Sequence, residues 1–197
     1  PDSGSCTMLG FDVVKDYRDI RQMIGYMPGR FSLYMDLTVE ENLDFYARVF
    51  GSSVQDNYDL VREVYEQIAP FRKRRAGKLS GGMKQKLALS CALIHRPRVL
   101  ILDEPTTGVD AVSRQEFWDM LKKIQTEGIT IVVSTPYMDE ASRCDRIALI
   151  QEGRLLEVDT QQAIIEKHTQ PLWSVRGQGM YHLLLDIRTY PNTASCF

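Results

Sequence analysis

Cysteine and histidine are scarce, and neither is arranged for chemistry. The four cysteines, Cys6, Cys91, Cys144 and Cys196, form no C-x-x-C pair. The histidines His95, His168 and His182 are scattered. A disulfide framework and a zinc site are therefore not expected, and the thiols read as those of a reduced cytosolic chain. No apolar run approaches the ~20 residues a membrane helix needs. The longest, 99–102 and 129–133, have the length of strands. Charge of one sign is lacking too: the net charge of −2 gives no reason to expect a polyanion partner. The basic cluster Arg72-Lys73-Arg74-Arg75 has no interleaved aromatics and reads as a solvated loop, so no nucleic acid is expected. No signal peptide is expected, and internal repeats and low-complexity segments are absent from the sequence. The chain opens Pro1-Asp2-Ser3-Gly4 without a methionine, and is expected to be a piece of something longer.

What is present is ordinary for a soluble fold. The 197 residues are 44% hydrophobic and 25% charged, enough for one globular domain with an appendage. Short apolar strands alternate with amphipathic helices, which argues for α/β with a mainly parallel sheet. Strands are expected at 6–9 and 24–27, the second broken by Pro28-Gly29. Thr38 can cap a helix over 39–50, with Glu40 and Glu41 in its first turn and Gly51 after it. A second helix, 57–68, closes at Pro70. No strand separates these two, so 36–70 reads as a helical insertion.

Ser80 caps a further helix over 81–94, in which Met83, Leu87, Cys91 and Ile94 make one buried face. Strand 99–102 is apolar throughout, as a strand covered on both faces should be. Helix 111–126 turns Phe117, Met120, Leu121 and Ile124 inward and stops at Gly128. Residues 130–134 read as another buried strand, followed by a helix from Pro136 through Cys144. A hairpin is expected at 147–151 and 155–159 around Glu152-Gly153, then a helix at 161–168. Beyond it, 173–176 reads as a strand and 180–190 as a helix.

The chemistry concentrates in residues 79–110. The strand Val99-Leu100-Ile101-Leu102 delivers Asp103 and Glu104 at its C-terminal end, where open α/β sheets bind ligands. Asp103 suits Mg²⁺, held through water. Glu104, expected on the other side of the strand, can polarise an attacking water as general base. Upstream, Ser80-Gly81-Gly82 opens a helix with bare N–H groups at its positive end, an anion site that a phosphate can approach closely. Either feature alone has an ordinary structural reading, as a solvated strand end or a capped helix. Their succession, with Pro105-Thr106-Thr107-Gly108-Val109-Asp110 next, argues for phosphate chemistry.

Residues 79–110 resemble the ATP-binding-cassette (ABC) ATPases of transporters. LSGGM is similar to the family signature, VLILDEP to its Walker B strand and TTGVD to its D-loop. The resemblance covers roughly 1–159, including GYMPGRFSLYMDLTVEENL and STPYMDEASRCDRIALIQEGRLLEVD, and is greatest to the drug-exporter branch. Residues 173–197 resemble the start of a small α+β extension. The implied fold is a P-loop NTPase-like parallel sheet, cut short at its N-terminus, with a helical insertion. The implied division is a partial core at 1–35, a helical subdomain at 36–96, the rest of the core at 97–159 and the extension from 160. The implied cofactors are ATP and Mg²⁺. Ser80, Gly81 and Gly82, with Gln85, would contact ATP held by a partner cassette. Asp103 would serve Mg²⁺, Glu104 would be the base, and Asp110 would cross the interface of a head-to-tail dimer. Permease subunits would hold the cassette on the cytoplasmic face of a membrane.

Three departures from the family pattern stand out. No G-x-x-x-x-G-K-[ST] exists in the sequence, so this stretch is expected neither to grip ATP in its own site nor to hydrolyse it. The missing strands are expected to leave an exposed sheet edge that invites self-association. The family's Gln after the strand ending GYMP is Gly29, and its His after Val133-Ser134-Thr135 is Pro136. Two alternatives follow from the same residues. One is a non-catalytic regulatory half in which ATP is a clamp, favoured by Gly29 and Pro136 and opposed by Glu104. The other is a soluble ABC ATPase acting on ribosomes or DNA, which would bring basic linkers or coiled-coil heptads.

Overall fold

The computed structural model describes residues 3–168. They belong to two units, divided between Arg143 and Cys144. The strand expected at 173–176 and the helix expected at 180–190 lie outside the described residues.

The first unit opens with a hairpin of β1 (Thr7–Met8) and β2 (Phe11–Asp12). Leu9 and Gly10 turn it with φ of 54° and 88°, the signs of a tight hairpin turn. α1 (Tyr17–Met23) then leads directly into β3 (Ile24–Met27). Sequence reading placed one strand at 6–9 and found neither β2 nor α1. A two-residue strand and a two-turn helix are too short to show a period.

Between β3 and β4 (Val99–Asp103) the chain is helical: α2 (Val39–Val49), α3 (Tyr58–Glu66), two short 3₁₀ turns and α4 (Gly81–Leu93). Thr38 caps α2 as expected. Its Oγ1 accepts the Glu41 N–H at 3.2 Å while the Glu41 carboxylate accepts the Thr38 N–H at 2.7 Å. Asn42, fully buried, folds the preceding loop onto α2 by bonding the N–H and C=O of Tyr34, both at 3.0 Å. α4 packs against α2, α3, α5 and β3, so its C-terminal half is buried on nearly every side rather than along the one expected face. Gly25 permits this closeness, since a β-carbon there would collide with the Ala92 carbonyl of α4.

α5 (Ala111–Thr126), β5 (Thr130–Ser134) and α6 (Met138–Ala141) complete the unit. Phe117, Met120, Leu121 and Ile124 of α5 are buried, as their spacing requires. The sheet runs β3-β4-β5, all parallel, with Tyr26 opposite Ile101 and Ile101 opposite Val132. Two expectations fail here. β5 is not buried: Val132 is 52% exposed and the strand alternates between exposed and half-buried residues, and among the described residues it lies at the edge of this sheet. An apolar run reports strand propensity but does not separate edge from centre. The helix expected from Pro136 through Cys144 shrinks to four residues, with Pro136 outside it and Tyr137 at its N-cap.

In the second unit, β6 (Ile147–Gln151) pairs antiparallel with β7 (Arg154–Asp159). Glu152 and Gly153 turn it with φ of 49° and 73°. α7 (Gln161–His168) follows, and Lys167 on it pairs with Glu157 and Asp159 of β7. Among the described residues no helix is long and apolar enough to cross a membrane.

Candidate functional site

Parallel strands end on the same side of a sheet, so β3, β4 and β5 bring Met27, Asp103 and Ser134 to one edge. Asp103 lies directly opposite Ser134 in the ladder. The Ser134 hydroxyl donates to Asp103 Oδ1 at 2.5 Å and accepts the Glu104 N–H at 3.0 Å. The same N–H reaches the Ser134 carbonyl, also at 3.0 Å. One residue of β5 therefore orients a carboxylate and the backbone of the next acidic residue together.

Glu104 does not continue the alternation of β4. The strand ends at Asp103, and Glu104 takes φ of +44°, uncommon for a residue with a β-carbon. Its backbone is held from both sides, by Ser134 and by the Thr107 N–H donating to the Glu104 carbonyl at 3.2 Å. The Thr107 hydroxyl donates to its carboxylate at 3.1 Å. Asp103 and Glu104 are both exposed, open to solvent and to a ligand. Asp103 and the Ser134 hydroxyl supply hard oxygens, the donor type Mg²⁺ takes beside phosphate oxygens and water.

Gly29 completes this group. A β-carbon on it would stand 3.0 Å from the Asp103 carbonyl oxygen and 3.7 Å from Glu104 Cβ. Pro136 is exposed, two residues beyond Ser134.

The remaining expected residues gather at two helix starts. Ser80 Oγ accepts the Met83 N–H at 3.3 Å and so caps α4. Gly82 meets α5 closely, since a β-carbon there would lie 2.7 Å from Ser113 Oγ and 2.9 Å from Ser113 Cβ. Gly81 faces Gly108, whose carbonyl would be 3.9 Å from an added β-carbon. Asp110 caps α5 by accepting the Ser113 N–H at 3.0 Å, and that bond first of all holds its carboxyl below the usual range. Gln85 is half-buried in the second turn of α4.

Sequence reasoning missed Thr107, the bridging role of Ser134, and above all Glu140. This residue of α6 is 1% exposed. It accepts the Thr106 hydroxyl at 2.5 Å on one oxygen and the Thr135 hydroxyl at 2.6 Å on the other. Arg114 of α5 stands 3.7 Å away, its guanidinium 4.8 Å from the centre of the Tyr137 ring. The available signal was a threonine shortly after each of two neighbouring strands, with a carboxylate five residues past the second.

The family model described as "ABC transporter" matches residues 1–107. The probable multidrug ABC transporter ATP-binding protein YbhF of Escherichia coli (strain K12) is 46% identical over 84% of this chain, which spans 29% of that protein. The Nod factor export ATP-binding protein I of Burkholderia lata is 40% identical over 84% of this chain, which spans 56% of it. The chain thus spans between 29% and 56% of the length of these relatives. Among solved structures, an ATP-binding subunit of an ABC transporter superposes with a TM-score of 0.74 at 24% identity, covering 94% of this chain and 77% of that one. A dimeric ATP-binding cassette in a post-hydrolysis state with ADP and Pi gives 0.70 at 23% identity, covering 81% and 74%. The fold is that of these cassettes, and with more than half its length matched by the family model, the chain belongs to the ABC transporter family of ATP-binding proteins.

Proposed function

We propose that this chain is part of the ATP-hydrolysing cassette of an export-type ABC transporter, which drives transport by closing head to tail on a second cassette. The observation that carries the reading is the exposed Asp103–Glu104 pair, held at the C-terminal end of a parallel sheet by Ser134. In this reading Asp103 serves Mg²⁺ and Glu104 is the general base toward the attacking water. Mg²⁺, when bound, neutralises charge on the phosphates. The chain's own residues orient the water and fix the carboxylates, which is most of the catalysis in phosphoryl transfer. Ser80, Gly81 and Gly82 present the N-terminus of α4 to nucleotide on the partner, and Asp110 crosses the same interface. Of the relatives above, one is named for multidrug transport and the other for export of Nod factor, which supports the export-type reading.

Permease subunits dock, in this reading, near residues 31–38, where Tyr34 is 50% exposed and packs edge-on against Phe45 at 4.8 Å. The cassette is then peripheral on the cytoplasmic face of the membrane. Residues 1–197 alone, lacking G-x-x-x-x-G-K-[ST], do not turn over ATP.

Gly29 and Pro136 favour a second reading, in which this cassette's own site is slow or regulatory while its α4 terminus serves the partner's site. Glu104→Gln in the full-length protein with its partner tests both. Loss of turnover as complete as from the equivalent change in the partner sinks the asymmetric reading. No ATP turnover in the unaltered pair sinks the first.

A further inference from the structure

A carboxyl that is 1% exposed is costly to place, and sequence position alone gives no reason for it. What surrounds Glu140 supplies one. Thr106 follows Glu104 by two residues and is itself 2% exposed. Thr135 follows Ser134 by one. The two hydroxyls come from the loops leaving β4 and β5, and each takes a different oxygen of the same carboxyl. Thr135 Oγ1 also accepts the Tyr137 N–H at 3.1 Å, so its orientation is fixed by the chain that leads into α6. Arg114 adds positive charge from the first turn of α5, 3.7 Å from Glu140 Oε1 and 3.8 Å from Asp139 Oδ2.

The two strand-end loops are therefore joined twice. Ser134 joins them at Asp103 and Glu104, on the exposed side. Glu140 joins them one to two residues further along, in the interior. Between those clamps lie residues 104–106, where Glu104 takes its left-handed backbone, and beyond them the chain carries Gly108 and Asp110 toward α4 and α5. A backbone in a sparsely populated region persists only where its surroundings over-determine it. Rotation of the loop after β4 would have to break the Thr106 bond inside the protein, where no water replaces it.

We propose that Glu140 is a positioning residue of the ATPase site, clamping Thr106 and Thr135 so that the loop carrying Glu104 stays in register with the end of β5. It touches no substrate in this arrangement and acts through the two threonines. The inference rests on the proposed function above, and the same full-length protein with its partner cassette tests it. The variants are Glu140→Gln, Thr106→Val, Thr135→Val and the double Glu140→Gln/Thr106→Val.

Each single change is expected to lower kcat on the order of tenfold, through lost orientation rather than lost binding. KM for ATP stays within about twofold, the split that marks a transition-state effect. The double variant falls no further than the worse single one, because residues acting as one unit are not additive. Losses that follow the melting temperature, or that multiply in the double variant, assign Glu140 a purely structural role and overturn the inference. So does an unchanged kcat. If Glu140→Gln fails to fold, the two threonine variants carry the same test. No turnover in the unaltered pair overturns the proposed function and this inference with it; turnover with unaffected variants overturns this inference alone.

Discussion

Gly29 and Asp103 are so close that a β-carbon on the glycine would stand 3.0 Å from the aspartate's carbonyl oxygen. That oxygen belongs to the backbone of β4 and cannot swing away as a side-chain end would. The glycine is thus more than a missing glutamine. At that separation the backbone of β4 would have to give by a few tenths of an ångström to admit a β-carbon.

Gly29→Ala is accordingly expected to destabilise the full-length protein by about 1–3 kcal/mol, the usual cost of overpacking. Gly29→Gln should do the same without raising ATP turnover. Thermal melts and steady-state ATPase rates on both variants check this. A Gly29→Gln protein with unchanged melting temperature and faster turnover would mean that β4 yields easily and that the glutamine was simply lost.

Ser134 leads to a prediction about the metal. Its hydroxyl holds Asp103 in one rotamer at 2.5 Å and accepts the Glu104 N–H. Ser134→Ala frees Asp103 at an exposed position, so stability should change by no more than ~0.5 kcal/mol. The Mg²⁺ concentration for half-maximal nucleotide binding should nonetheless rise severalfold, and Ser134→Thr should restore most of it. Titration of a fluorescent ATP analogue against Mg²⁺ reads this directly. An unchanged Mg²⁺ requirement would leave Asp103 positioned by something other than Ser134.

His95 makes stability fall in mild acid. Its ring stacks on Phe50 at 3.7 Å, and Nε2 lies 2.9 Å from the Ile24 carbonyl, so Nε2 carries the proton. Nδ1 is buried with no hydrogen-bond partner among the described residues. Burial lowers its pKa from the ordinary 6.5, against a smaller raising effect of the Ile24 carbonyl. A depressed folded-state pKa contributes stability that is present above the unfolded value and lost as pH falls through the folded one. Melting temperature should therefore start to drop below about pH 6.5. His95→Gln should melt lower at pH 8, having lost the stack, yet fall less steeply between about pH 6.5 and 5. Parallel curves for the two proteins across that window would remove His95 as the cause.

The elements that announced themselves in the sequence are those with a local physical cause. Thr38 and Glu41 make a capping box from adjacent residues, Glu152-Gly153 make a turn, and α5 shows four inward residues at helical spacing. Asp103 and Glu104 stood out because two adjacent acids end an apolar strand soon after the Ser80-Gly81-Gly82 helix start, a succession that sequence alone displays. What was not legible depends on partners far apart in the chain. Ser134 matters because β5 pairs with β4 in a register that puts it opposite Asp103. Glu140 matters because two threonines 29 positions apart in the sequence converge on it. The exposure of β5 depends on what covers its two faces, and its own composition carries no trace of that.

The last prediction concerns the glycines at the start of α4, read from sequence as room for a phosphate. Gly82 has a second reason to be glycine. A β-carbon on it would overlap Ser113 of α5, at 2.7 Å from Oγ and 2.9 Å from Cβ. Ser113 is also the residue whose N–H Asp110 caps, so pushing it aside disturbs the start of α5. Gly82→Ala should therefore lower the melting temperature of the full-length protein and weaken ATP-dependent pairing of the two cassettes. Because the clash reaches Ser113 Cβ, Ser113→Ala should not relieve it. Ser113→Gly should, less the ~0.5–1 kcal/mol a glycine costs within a helix. If Gly82→Ala with Ser113→Gly recovers the melting temperature but not the pairing, Gly82 serves the nucleotide as well as the packing. If both recover, the packing against α5 explains the glycine. If neither does, the contact with Ser113 is not what constrains it.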